Sequence, residues 1–304
     1  MGTPDFAVAS LAALLAAKKD VVAVVTSPDK PAGRGQKIQE SAVKKFAIAN
    51  EIPVLQPEKL RDPQFIEQLR SYRADLQVIV AFRMLPEIIW DMPPLGTINV
   101  HASLLPQYRG AAPINHVLIN GETKTGVTTF FLQHQIDTGN VLLATEVPIE
   151  EDENAGHLHD KLMLAGADTL IRTLEALENK QLNPIPQSEL IHKGEMKEAP
   201  KIFKEDCKID WNLPMISVYN KIRGLSPYPA AYTHLDNKVL KIYETRKEDI
   251  NGESTPGKIS TDGKTYIKIA CLDGWLSILQ LQLEGKKKMG VEEFLRGYRI
   301  LLTN

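Results

Sequence analysis

The stretch TINVHASLLPQYRGAAPI (residues 97–114) sets two polar side chains, Asn99 and His101, alternately along the end of an apolar run. In an extended strand, residues i and i+2 point to the same face, with Cα atoms about 6.5–7 Å apart. Asn99 offers an amide donor, and His101 can donate or accept a proton near neutral pH. Together they can hold a carbonyl oxygen that becomes negative as a nucleophile adds to its carbon. Loss of one such donor raises a barrier by about 2.7–4 kcal/mol. The competing reading is that both side chains cap the strand and bond neighbouring backbone. A carboxylate stands at the matching place in the next apolar run, TTFFLQHQIDTGNVL (residues 128–142), where Asp137 precedes a Thr-Gly pair. As a turn, Asp-Thr-Gly makes Asp137 an Asx cap. As chemistry, Asp137 orients His101 or accepts a proton, directly or through water. Asn, His and Asp at the strand exits of one sheet favour catalysis.

Other candidates are weaker. PAGRGQK (residues 31–37) has glycines but lacks the spacing and the Lys-Ser/Thr ending of a phosphate-binding loop, and no dinucleotide fingerprint is present. His157 and His159 lie two apart on a predicted helix and face different sides, which disfavours zinc. Cys207 and Cys271 are too few for a disulfide framework or a structural zinc site, and neither has a His at nucleophile spacing. Buried, unpaired thiols in a reducing compartment are expected. No metal is expected.

The elements that must position these residues follow from the hydrophobic pattern. Residues 21–27, 76–82, 96–102 and 126–133 are near-continuous apolar strands, with helical patterns over residues 41–50, 63–72 and 86–90 between the first three. Strands buried on both faces and separated by helices predict an α/β fold, a Rossmann-like, mostly parallel sheet with helices on both faces. Such sheets bind ligands at the C-terminal ends of their strands, where Asn99 and His101 fall. Residues 155–178 carry apolar side chains at helical spacing and predict a long closing helix. Residues 181–205, polar with three prolines, read as a linker. Period-2 runs with tight Gly and Asp turns follow, so residues 206–304 are expected as a small C-terminal β-barrel, OB-like, after a first domain over 1–180. One feature is odd: GTPDFAVASLAALLAAKK reads as a strand-to-helix turn and its helix with no strand in front. Our expectation is that the native product begins upstream and that Met1 is an internal methionine, because losing a central strand exposes its neighbours' edges.

The chain has 304 residues and a formal net charge of −2, giving no global sign of a polyanionic partner. The halves differ: residues 1–200 carry 19 Lys and Arg against 25 Asp and Glu, and residues 201–304 carry 17 against 13. A modestly basic C-terminal part is compatible with a nucleic-acid-facing surface and equally with an ordinary solvated face. The apolar run after Asp5 lacks the basic n-region of a signal peptide, and no run reaches the ~18–20 apolar residues that span a bilayer. A cytoplasmic protein without membrane contact is expected.

Asn99-x-His101, SLLPQYRGAAPI and the DTG at Asp137 together resemble the folate-dependent formyltransferases and hydrolases. The further segments GTPDFAV, SPDKPAGRGQKI, APKIFKEDCKIDW, IRGLSPYPAAYT and GKKKMGVEEFLRGYR make the chain similar, over residues 2–299, to the bacterial methionyl-tRNA formyltransferases. The resemblance implies transfer of the formyl group of 10-formyltetrahydrofolate to the α-amine of methionine on initiator tRNA. It places the family's catalytic trio on Asn99, His101 and Asp137 and its folate-binding segment on Ser103, Leu104, Leu105 and Pro106. The family loop that reaches the tRNA acceptor end falls on residues 28–37, with Lys30, Arg34 and Lys37 as its cations. Lys286, Lys287 and Lys288, with Arg296 and Arg299, then become candidate contacts to the tRNA backbone. A monomer is expected. One departure stands out in VAFRMLP (residues 80–86), where relatives carry Tyr-Gly at Phe82 and Arg83; Arg83 either alters the folate contacts or reaches outwards to substrate. The rival readings are a formyltransferase acting on a sugar nucleotide or glycinamide ribonucleotide, a hydrolase releasing formate, and a catalytically silent tRNA-binding module.

Overall fold

A computed structural model of the chain describes residues 1–32, 37–191, 196–248 and 255–300. The fold divides into two compact units. The first takes in Met1–Gly110, Lys124–Pro148 and His159–Glu198; the second takes in Ala111–Thr123, Ile149–Leu158 and Ala199–Asn304.

The first unit opens with α1 (Asp5–Ala16), β1 (Val24–Val25) and the hairpin strands β2 (Lys30–Ala32) and β3 (Lys37–Gln39). Next come α2 (Ala42–Ala49), β4 (Val54–Leu55), α3 (Pro63–Ser71), β5 (Gln77–Val80), α4 (Glu87–Trp90) and β6 (Thr97–His101). After the short β7 (Arg109–Gly110) and α5 (Pro113–Ile119), the chain runs through β8 (Lys124–Phe131), β9 (Val141–Pro148) and α6 (Ala155–Glu178). Local chemistry sets several helix starts. Ser41 caps α2 by accepting from the Lys44 N–H at 3.0 Å, and Asp62 caps α3 with Pro63 in the first turn.

The α/β class is as the apolar strands imply. Among the described residues, β1 pairs with β4 and β5 with β6 in parallel, whereas β8 and β9 join the sheet antiparallel, in the order β5-β6-β8-β9. The antiparallel turn has a local reason: β8 returns to β9 through a connection of nine residues, far too short for a crossover between parallel strands. α6 lies on this sheet through apolar side chains, including the fully buried Leu162 and Leu170. Two hydroxyl pairs reinforce it: Thr173 meets Thr129 at 2.7 Å and Thr169 meets Thr145 at 2.7 Å. Residues 181–191 also pack with this unit, and Ile185 exchanges two 2.9 Å backbone hydrogen bonds with Val141.

The second unit holds α7 (Met215–Leu225), the strands β11 (Ala231–Leu235), β12 (Lys238–Glu248), β13 (Ile259–Thr261), β14 (Ile267–Ala270), β15 (Trp275–Leu283) and β16 (Met289–Gly290), and α8 (Val291–Gly297). The two-residue β10 (Glu198–Ala199) precedes them. All the pairings among β11 to β16 are antiparallel, in the order β11-β12-β15-β14-β13 with β16 beside β15. Among the described residues no pair joins β11 to β13, so the barrel expected from the period-2 pattern is an open half-barrel sheet. The register slips at Ile242, Glu244 and Thr245 fit its curl, since bulges bend a strand and raise its twist. Ile222 and Leu225 of α7 and Phe294 and Leu295 of α8 fill its core with Leu240, Ile242, Ile278 and Leu281.

Candidate active site

Asn99 and His101 end β6 in mid-sheet, between β5 and β8, with Asn99 beside Ile79 and His101 beside Thr128. His101 is buried, and its Nε2 lies 2.9 Å from the carbonyl of Tyr108. A carbonyl can only accept, so Nε2 carries the hydrogen and the neutral ring presents its lone pair at Nδ1. Nδ1 lies 3.9 Å from Asp137 Oδ2, and the Asp137 side chain is only 12% exposed. That separation exceeds a direct hydrogen bond, but it holds a carboxylate beside any imidazolium that forms. Among the described residues, the half-buried Asn99 amide has no hydrogen-bond partner, which leaves its donors for a ligand. The structure thus brings the three residues of the trio to one strand end.

Asp137 sits in the β8–β9 connection with φ +54°, a left-handed conformation that Asp tolerates better than most residues. Three groups hold it. The Gly110 N–H donates to its Oδ2 at 3.0 Å. Gln187 donates at 2.8 Å to the carbonyls of both Asp137 and Gly139. Arg109 in turn donates to the Gln187 Oε1 through Nε at 3.0 Å and Nη2 at 2.6 Å. Sequence reading missed Gln187, which lies in a stretch without periodicity; only the Arg-Gly at 109–110 gave a signal.

The segment after β6 turns sharply and is firmly bonded. Ser103 donates through Oγ to the Gln107 carbonyl at 2.7 Å, the Thr128 hydroxyl donates to the Ser103 carbonyl at 2.7 Å, and the Leu105 N–H donates to the Thr128 Oγ1 at 3.1 Å. Ser103, Leu105 and Pro106 are buried and Leu104 is half-buried. Leu104 lies over Gly126, where an added Cβ would sit 2.5 Å from its Cδ2.

Lys30 is exposed on β2, and Lys37 is placed by its backbone in β3. Arg34 lies outside the described residues. The base of this hairpin is pinned: Asp29 bonds Lys44 and accepts from Gln56 at 2.7 Å, and Lys44 also reaches Glu40 at 2.9 Å. The Lys44 ammonium, then the Gln56 amide, hold the Asp29 carboxyl below its ordinary range. Arg83 turns back on its own fold. It donates to the carbonyls of Pro57 and of Glu58, the latter at 2.9 Å, and its guanidinium lies 5.6 Å from the centre of the Phe82 ring.

In the second unit Lys286, Lys287 and Lys288 are exposed in the turn after β15. Lys287 pairs with Glu293 at 3.4 Å, and Lys288 lies 4.7 Å from the centre of the Tyr243 ring. Both cysteines are buried and free, and burial pushes the Cys271 thiol up to about 12. Among the described residues no group of three or more His, Cys, Asp or Glu is placed to hold a metal ion, and no helix is long and apolar enough to cross a membrane.

A Rossmann-like layer with a polar strand end, followed by an antiparallel half-barrel, is an architecture shared with formyl-transferring enzymes of known structure. The chain belongs to the formyl transferase family: the formyl transferase model matches residues 1–174, and the model of the formyl transferase C-terminal domain matches residues 201–299. Among its relatives, the methionyl-tRNA formyltransferase of Bacteroides thetaiotaomicron is 54% identical over 99% of this chain and 95% of its own length. That of Phocaeicola vulgatus is 56% identical over 98% of this chain and 94% of its own. The fold is also that of the sugar 3N-formyl transferase WlaRD, crystallised with dTDP and 5-N-formyl-THF, with a TM-score of 0.66 at 20% identity, covering 94% of this chain and 97% of that one. HypX from Aquifex aeolicus, solved in complex with tetrahydrofolic acid, gives a TM-score of 0.60 at 20% identity over 84% of this chain and 45% of that one.

Proposed function

We infer that this chain transfers the formyl group of 10-formyltetrahydrofolate to the α-amino group of methionyl initiator tRNA, giving the formylmethionyl-tRNA that starts translation. The observation that carries this is the likeness, above 50% identity over nearly the whole chain, to proteins of that activity. In this reading residues 1–180 carry the chemistry, residues 206–304 meet the tRNA, and 181–205 connect them.

The folate carrier supplies an electrophilic formyl carbon, and this chain's residues do the rest. Asn99, with an amide unpaired among the described residues, donates to the formyl oxygen as the amine adds. His101 takes the amine proton at Nδ1, because its Nε2–H is committed to the Tyr108 carbonyl. Asp137, 3.9 Å away, stabilises the resulting imidazolium and bridges to it through water or a small shift. The bonds around Gln187 and Gly110 keep Asp137 in place, so little reorganisation accompanies the proton transfer. Ser103, Leu104, Leu105 and Pro106 form the wall against which the folate rests. Lys30, Arg34 and Lys37 approach the acceptor-end phosphates, and Lys286, Lys287 and Lys288 the tRNA backbone. The protein acts as a monomer in the cytoplasm and needs no metal.

The test incubates purified protein with 10-formyltetrahydrofolate, with and without methionyl initiator tRNA, for wild type and Asn99→Ala. Formylmethionyl-tRNA from wild type, with the variant slowed by about a hundredfold or more, is the expected result. Formate release that ignores tRNA would replace this reading with a hydrolase. Binding of tRNA with no chemistry would replace it with a silent module.

A further inference from the structure

Between β1 and β5 the first unit holds a cavity of about 1130 Å³. One wall is residues 21–25 and the other residues 76–78 and Val80, with Leu11, Leu14 and Leu174 among the apolar side chains around it. Each wall is a strand with an open edge: among the described residues β1 pairs only with β4, and β5 with β6 on its other side. Two residues already show what fits between them. Met1 donates its amine to the Val78 carbonyl at 2.6 Å, and the Val80 N–H donates to the Met1 carbonyl at 2.9 Å. Gly2 donates to the Val25 carbonyl at 3.0 Å and forms a parallel bridge with Val80. Met1 and Gly2 therefore form one rung of extended backbone that touches both edges at once. Gly2 is required there, since an added Cβ would meet Ala7 Cβ at 2.4 Å and the Val80 carbonyl at 2.8 Å.

The ladder defines the rungs before this one. Val24 and Thr26 donate to Pro53 and Leu55 of the β4 segment, so by alternation the Val25 N–H faces the cavity. Val80 already donates into it, so the Val78 N–H does too. Two further features favour a peptide there. The buried Ser10 Oγ lines the cavity and has no hydrogen-bond partner. The Met1 amine is wholly buried, an environment that suits an amide N–H better than an ammonium, and burial pushes it down to about 5.

We propose that this cavity is a strand-acceptor slot: it takes one extended apolar peptide segment of about five or six residues, parallel to β5 and ending at Met1, which joins the two small sheets into one continuous sheet. This inference rests on the fold and not on the formyl-transfer reading. Edge pairing on both sides fixes the backbone, and the Val, Leu and Ala side chains around the slot select apolar residues over charged ones.

The probe is a six-residue extension of alternating isoleucine and valine fused ahead of Met1, compared with a Gly/Ser/Asp extension of equal length and with the 304-residue chain. The apolar extension is expected to raise the thermal midpoint by about 5–10 °C over the polar one. It is also expected to slow amide exchange at Val25 and Val78 by about a hundredfold or more in hydrogen-exchange measurements, leaving the distant β14–β15 pair unchanged. Equal midpoints and equal exchange for the two extensions would overturn the proposal. So would slowed exchange spread evenly over both units, which would mark general stabilisation instead of strand insertion. Formylation plays no part in either readout, so failure here is distinguishable from failure of the functional reading.

Discussion

The two units use their polar residues differently. In the first, buried polar side chains converge: His101, Ser103, Thr128 and Gln187 surround the end of β6 and the connection after β8. In the second, they serve local needs, with Asn220 accepting from Arg223 at 2.8 Å and Ser277 bonding Glu248 at 2.9 Å. The sheets differ too. The second unit's half-barrel is one hydrogen-bonded sheet, whereas the first is divided between β1 and β5. Proton transfer benefits from fixed dipoles in a site that excludes water, which demands buried, fully bonded polar groups. Binding a polyanion benefits from charge left in water and ready to displace counterions, which demands exposed cations over an apolar core.

The contrast can be broken most sharply at the strand end. Asn99→Ala and His101→Ala are each expected to lower kcat by about 10²–10³-fold, because one loses an oxyanion donor and the other a proton acceptor. Circular dichroism melts should stay near wild type for Asn99→Ala, whose side chain supports no bond within the described residues. A collapse of the fold in that variant would mean Asn99 is structural, and the first unit would then resemble the second. Gln187→Leu strips two carbonyls and Arg109 of a partner. It should cost about 1–3 kcal/mol in urea unfolding, since buried groups are left unsatisfied. It should also lower kcat by roughly tenfold while leaving KM for tRNA unchanged. Replacing Lys286, Lys287 and Lys288 together by alanine tests the other side. The slope of log affinity for tRNA against log salt should shrink by about 0.7–0.9 for each phosphate that a lysine no longer neutralises, with single-turnover chemistry at saturating tRNA unaltered. The smallest effect is expected at Cys271. A thiol reagent at about pH 8 should leave it unmodified in the folded protein and label it on unfolding, because burial holds the thiol protonated.

Much of this was legible in the sequence where period and polarity disagree. Asn99 and His101 stand out because polar side chains interrupt a strand that packing alone would keep apolar. The span of α6 was readable because its apolar spacing runs unbroken for 24 residues. The direction of β8 was not, since an apolar run looks the same whether its neighbour is parallel or antiparallel; only the short return to β9 fixes it. Barrel closure was beyond reach for a related reason. Period-2 alternation marks one buried face but says nothing about whether the first and last strands meet. Gln187 was invisible because its role comes from carbonyl and guanidinium partners distant in sequence, with no local pattern to mark it. Arg83 stood out as a departure from the family pattern, yet its partners, the carbonyls at 57 and 58, could be seen only in three dimensions.

Gln187 and the Ile185–Val141 pairing also bear on how the molecule can be cut. The composition around residue 180 invites a fragment that stops at the end of α6. Such a fragment would leave behind the amide that clamps the Asp137 and Gly139 carbonyls and the rung that covers β9. The shortest piece with a chance of keeping the Asp137 connection in shape must therefore run past Leu190. Residues 181–190 are better regarded as a splint than as slack rope, and a protease that nicks there should disable the site before it separates anything.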